Sequence, residues 1–169
     1  MIRAALARLD AVVAVACRWV VVGCLLGLFV LLSLGIVQRV APVFKMTGYD
    51  ELVELLFAWM TFAGSVALWR EGALYRVDIA DRLLPPRGRR ALAVLTHLAM
   101  LAIAAMLTLV GWDFVRQSGE TTPFLQVAKA WWYAAIPVCG MFMAGYSIAA
   151  VWRALRGDLD TVPEAATLG

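Results

Sequence analysis

Residues 19–37, 55–69, 91–112 and 130–152 contain no Asp, Glu, Lys or Arg, so all 15 basic and 12 acidic side chains lie outside these four runs. A helix rises about 1.5 Å per residue and needs about 20 apolar residues to cross about 30 Å of hydrocarbon. Three runs meet that length unaided, and the second meets it when extended back to Asp50. The pattern predicts an all-α integral membrane protein with four transmembrane helices at about 19–37, 50–69, 91–112 and 130–152. It leaves an N-terminal segment 1–18 and a tail 153–169 that is expected to be disordered. Composition agrees: 63% of side chains are hydrophobic and 16% charged, against roughly 45–50% and about 25% in soluble domains. The first run is too long for the apolar region of a cleaved secretory signal and reads as a signal anchor. The lipoprotein-like box Val21-Val22-Gly23-Cys24 has most of its apolar run after the cysteine, the wrong side for cleavage.

Four spans divide the remaining segments between two sides, and Lys plus Arg fall eleven to four in favour of the side bearing both termini and the 70–90 loop. The positive-inside rule makes that side cytoplasmic. The same asymmetry accounts for the net charge of +3 and pI near 9.0, so no nucleic-acid partner is expected. Trp19, Trp69, Trp112, Trp131, Trp132 and Trp152 lie at span edges, where amphipathic rings favour the interface. Trp59 alone falls mid-span. Within the 70–90 loop, Val77, Ala80, Leu83 and Leu84 recur at helical spacing opposite Arg76, Asp78, Asp81 and Arg82, and Pro85-Pro86 ends the pattern. This predicts a short amphipathic helix on the membrane surface between spans two and three, followed by Arg87, Arg89 and Arg90 facing anionic headgroups.

Ionisable groups inside a span are functional suspects, because each costs about 2.5–3.5 kcal/mol at the centre on insertion scales. Glu51 and Glu54 share a helix face, and the face continues through Ala58, Thr61 and Ser65 as a small-residue stripe suited to close packing. A polar contact to another helix or subunit, headgroup-facing carboxylates and a proton relay are all open, the last disfavoured because no second acid or base lies deeper. His97 is the only histidine; a bis-histidine haem needs two and zinc needs a cluster, so it is expected to be a hydrogen-bonded interface residue. Cys17, Cys24 and Cys139 have no C-x-x-C spacing and read as small buried hydrophobes. Gly23-x-x-x-Gly27 and Gly140-x-x-x-Ala144 are close-packing motifs. Pro137 removes the donor that would reach the Tyr133 carbonyl and predicts a kink. No cofactor, metal or enzymatic activity is expected.

Two stretches carry a resemblance. The first is Asp50-Glu51-Leu52-Val53-Glu54-Leu55-Leu56, then Trp59, Phe62, Gly64, Ala67, Arg70-Glu71-Gly72 and Val77-Asp78. The second is Thr122-Pro123, then Trp131-Trp132-Tyr133-Ala134-Ala135-Ile136-Pro137-Val138 and Gly140. In order and spacing they resemble the small membrane subunit (DctQ-type) of tripartite ATP-independent periplasmic (TRAP) transporters, over roughly residues 15–155. One departure is visible: Leu74-Tyr75 stands where that family often has His-Ile. The resemblance implies a bacterial inner-membrane scaffold subunit with both termini cytoplasmic. Its implied partners are a large membrane subunit that performs ion-coupled uptake of an organic acid, a periplasmic substrate-binding protein, and membrane lipids. It would place Glu51, Glu54, Trp59, Tyr133 and Pro137 in a helix or subunit interface, and Arg70, Asp78, Arg87, Arg89 and Arg90 at the cytoplasmic anchoring face. Two other classes compete: the membrane anchor of a redox enzyme, opposed by the single histidine, and a small proton-coupled exporter, opposed by the shallow position of both glutamates.

Overall fold

The computed structural model describes residues 2–40, 47–72 and 85–156, with side chains from Arg8 onward in the first helix and without those of residues 86, 87, 89 and 90. The expected surface helix, including Asp78 and the Leu74-Tyr75 departure, lies outside the described residues, as do the side chains of Arg87, Arg89 and Arg90 and the tail from 157 onward. Among the described residues there are five helices: α1 Ile2–Val40, α2 Tyr49–Glu71, α3 Pro86–Gln117, α4 Ala130–Tyr133 and α5 Ala135–Arg156. Four helical stretches, counting α4 and α5 together, are long and apolar enough to cross a membrane. Among the described residues there is no strand, only an isolated bridge between Thr121 and Ala128.

Local chemistry sets several boundaries. Gly48 at φ 87° and Gly72 at φ 71° flank α2 in the left-handed region, which glycine enters without a Cβ penalty. Pro86 opens α3 at a position where its fixed φ suits the first helical turn and its missing N–H costs nothing. The fourth span is interrupted at Ala134, between α4 and α5. The cause lies three residues on: Pro137 has no N–H to offer the Tyr133 carbonyl.

The helices associate as two sequence-adjacent antiparallel pairs, α1 with α2 and α3 with α5, joined along α2 and α5. Glycines mark the closest approaches. A Cβ at Gly140 would stand 2.8 Å from Thr108 Oγ1 and 3.0 Å from its backbone nitrogen, and one at Gly111 would meet Ile136 and Pro137. Gly27 admits the Leu56 side chain in the same way, and Gly35 admits Tyr49. Gly23, expected to share this role with Gly27, has nothing within 4 Å and so takes no part in packing within the chain. The core gathers Val13, Val66, Trp69, Met100, Ala104, Cys139 and Met143, with Cys17 and Ala144 against it. The three cysteines are free.

Three sequence-based expectations change at the level of packing. The Thr61 end of the small-residue stripe faces outward: Thr61 is exposed, and the Thr61 and Ser65 hydroxyls donate to the Phe57 and Thr61 carbonyls one turn back. The buried positions of α2 are Glu51, Ala63, Val66 and Trp69. Of the edge tryptophans, Trp69 and Trp132 are buried, because each indole N–H finds an acceptor inside the protein. Finally, α1 runs unbroken through residues 18 and 19, since a single arginine does not terminate a helix.

Candidate functional site

At one end of the bundle, the 118–129 connection folds back along the first turns of α2. The Thr122 N–H donates to the Val127 carbonyl (2.8 Å) and the Val127 N–H to Thr122 Oγ1 (3.1 Å), while the Lys129 N–H closes on the Glu120 carbonyl (3.0 Å). Gln126 occupies φ 55° to make the turn. The loop is fastened by Glu51, whose two carboxylate oxygens accept from the Phe124 N–H (2.9 Å) and the Leu125 N–H (3.0 Å). A buried carboxylate is tolerable here because it receives directed donors on both oxygens. The Glu51 carbonyl also accepts from the Trp132 indole at 3.2 Å, and the Trp59 indole donates to the Trp131 carbonyl at 3.2 Å. Lys129 pairs with Glu120 at 3.2 Å, and that carboxylate raises the lysine ammonium above its ordinary value.

The arrangement sorts the expected interface residues. Glu51, Trp59, Tyr133 and Pro137 all serve contacts within the chain: Tyr133 meets Phe114 edge-on with ring centroids 4.6 Å apart, and Pro137 is fully buried where α5 passes Gly111. Glu54 is not brought into this group and stays exposed. Two turns are enough for α2 to carry the loop. The tip side chains Phe124 and Leu125 remain exposed, as does Trp131.

At the opposite end, a second polar cluster ties three helices. Arg70 donates from Nε and Nη2 to the two oxygens of Asp10 at 2.6 and 2.7 Å. The Tyr146 hydroxyl donates to Asp10 Oδ1 at 3.0 Å. The Trp69 indole donates to Ser147 Oγ at 3.0 Å. Arg70 was expected among the headgroup-facing cations; here its fork is committed to Asp10, a bidentate geometry that favours arginine over lysine. Asp10 was assigned no role by sequence, being counted within the N-terminal segment. A cavity of about 20 Å³ beside this cluster is lined by Arg70, His97, Tyr146, Ser147 and Arg153, among others, enough for about one water.

Chemically, both clusters are fastenings. No buried side-chain nitrogen or oxygen among the described residues lacks a hydrogen-bond partner, and no three His, Cys, Asp or Glu among them could hold a metal. The interior between the clusters is apolar. What these features define is a helical membrane protein fastened at both ends around an apolar interior. The chain belongs to the family described as tripartite ATP-independent periplasmic transporters, DctQ component, which it matches over residues 28–157. It is therefore a component of a transporter. Comparison with curated proteins gives no significant match. The matched residues include Glu51, Trp59, Arg70 and the whole 118–129 loop; Asp10 and Arg18 precede them.

Proposed function

We propose that this chain is the small scaffold subunit of a TRAP-type secondary transporter in a bacterial inner membrane. It supports a large membrane subunit that performs ion-coupled uptake of an organic acid delivered by a periplasmic binding protein. The observation that carries this reading is the family match over residues 28–157. The apolar interior supports it, since among the described residues the core of Val66, Met100, Ala104, Cys139 and Met143 offers no polar path for a substrate or ion. By the positive-inside rule the Arg70 end is cytoplasmic and the Glu51 end periplasmic. In that orientation the 118–129 loop faces the binding protein, and Arg87, Arg89 and Arg90 meet the cytoplasmic headgroups.

The test is a mild-detergent purification of the tagged chain from its native membrane, with partners identified by mass. The expected result is one large polytopic membrane protein in about equal amount, and loss of organic-acid uptake when the gene is deleted. Recovery of the chain alone, or with a soluble redox enzyme, together with unimpaired uptake in the deletion strain, would overturn the reading.

A further inference from the structure

The Arg70 end of the bundle holds a cavity as well as a fastening. Arg70 is the first charge after the run 55–69, and Arg153 the first after 130–152, so both mark the edge where a span ends. Gly140 lies against Thr108, which in the antiparallel α3–α5 pair sets His97 level with about Val151. The cavity of about 20 Å³ that these three residues help to line therefore lies at the membrane face, where hydrocarbon gives way to headgroups.

Its lining is rich in donors. Arg70 spends Nε and Nη2 on Asp10, but a guanidinium has further N–H groups, so the pair fixes the fork without exhausting it. The Ser147 oxygen accepts from the Trp69 indole, which leaves its hydroxyl proton to give. Ser147 is 2% exposed and lines the cavity, with Met100 buried beside it. Arg153 is exposed, and its charge reaches both Asp10 and His97. Among the described residues no carboxylate lines the cavity.

Two guanidiniums, an imidazole and a buried hydroxyl thus surround room for one oxygen atom at headgroup level, a setting that favours an anionic acceptor over a neutral one. We infer that the cavity seats a phosphate oxygen of an anionic phospholipid from the leaflet at the Arg70 end. Arg153 meets the phosphate from the exposed side, while Ser147 and Arg70 donate from within. Basic pockets between membrane helices bind anionic headgroups in this manner. The same cations repel the ammonium of a zwitterionic headgroup, so phosphatidylglycerol is preferred to phosphatidylcholine. The inference rests on the four spans and not on the scaffold reading, and it holds in either orientation of the chain.

The experiment uses the full tagged chain with the partners it brings, purified from its native membrane and exchanged into micelles holding equal phosphatidylglycerol and phosphatidylcholine. Lipid retained after washing is measured by mass spectrometry, and comparison between variants cancels lipid held by partner subunits. The wild type is expected to retain phosphatidylglycerol in preference. Arg153→Gln is expected to lower that preference several-fold, and Ser147→Ala to lower it less. Arg156→Gln removes an arginine one turn on that stacks over Trp152, and is expected to leave it unchanged. Equal losses in Arg153→Gln and Arg156→Gln would reduce the effect to general surface charge and overturn the inference. Absence of any preference in the wild type would do the same. Displacement of the lipid by millimolar inorganic phosphate would assign the seat to free phosphate and overturn the lipid assignment. If Arg153→Gln disturbs folding, Ser147→Ala decides alone, and unchanged retention there counts against the seat.

Discussion

Glu51 and Glu54 are three residues apart on α2 and meet opposite environments. Glu51 is buried under the loop it holds, while Glu54 remains exposed. Replacing Glu51 with Gln keeps one acceptor oxygen and sets an NH₂ group against the second backbone amide. The expected cost is about 1–3 kcal/mol for a buried donor left unmatched. It should appear as faster amide exchange at Phe124 and Leu125 and a lower unfolding midpoint. Glu54→Gln should leave both unchanged; equal behaviour of the two variants would refute the assignment. Sequence spacing placed both acids on one face but could not separate them, because the partners of Glu51 are backbone N–H groups 73 and 74 positions away. Backbone donors carry no residue signature. Trp59 was singled out only because it falls mid-span; its indole N–H needs an acceptor there, and the Trp131 carbonyl that serves cannot be named from sequence. Asp10 gave no signal at all. Its neighbour Arg8 and the later Arg18 made the whole stretch look like a soluble flank.

At the scale of elements, the four spans were legible because charge exclusion is enforced along their whole length. The break at Ala134 was legible because one residue type causes it. The start of α1 was not, since its first half mixes apolar residues with Arg3, Arg8, Asp10 and Arg18 and is stabilised by tertiary contacts at Val13 and Asp10. Glycine motifs show the same division. Gly140 and Gly23 each begin a small-x-x-x-small pattern, yet only Gly140 presses on a neighbouring helix. Gly140→Ala should force α3 and α5 apart and destabilise the fold by about 1–3 kcal/mol, because the obstructing atoms include the Thr108 backbone. Gly23→Ala should be neutral or slightly stabilising in this chain alone. Thermal unfolding in detergent compares the two directly, and a Gly140→Ala variant as stable as wild type would contradict the packing described.

For the whole molecule, the asymmetry of Lys and Arg sets a testable orientation. A fluorescent-protein fusion at the C-terminus should fluoresce, and a periplasmic phosphatase fused there should be inactive; a phosphatase fused after Gly119 should be active. The reverse pattern would invert the assignment of the Glu51 and Arg70 ends. Function at this scale was legible only through the resemblance, because among the described residues no metal-binding cluster or other chemical motif points to it. What the fold adds is the manner of assembly. Because α1–α2 and α3–α5 are consecutive hairpins, each can close as it leaves the ribosome, whereas the seam between them must wait for the second. Glu51 is synthesised more than seventy residues before the amides it will accept from. Until then its carboxylate must be satisfied by water at the membrane surface. The clamp that fixes the loop is thus among the last contacts to form, and its closure records that both halves of the protein have arrived.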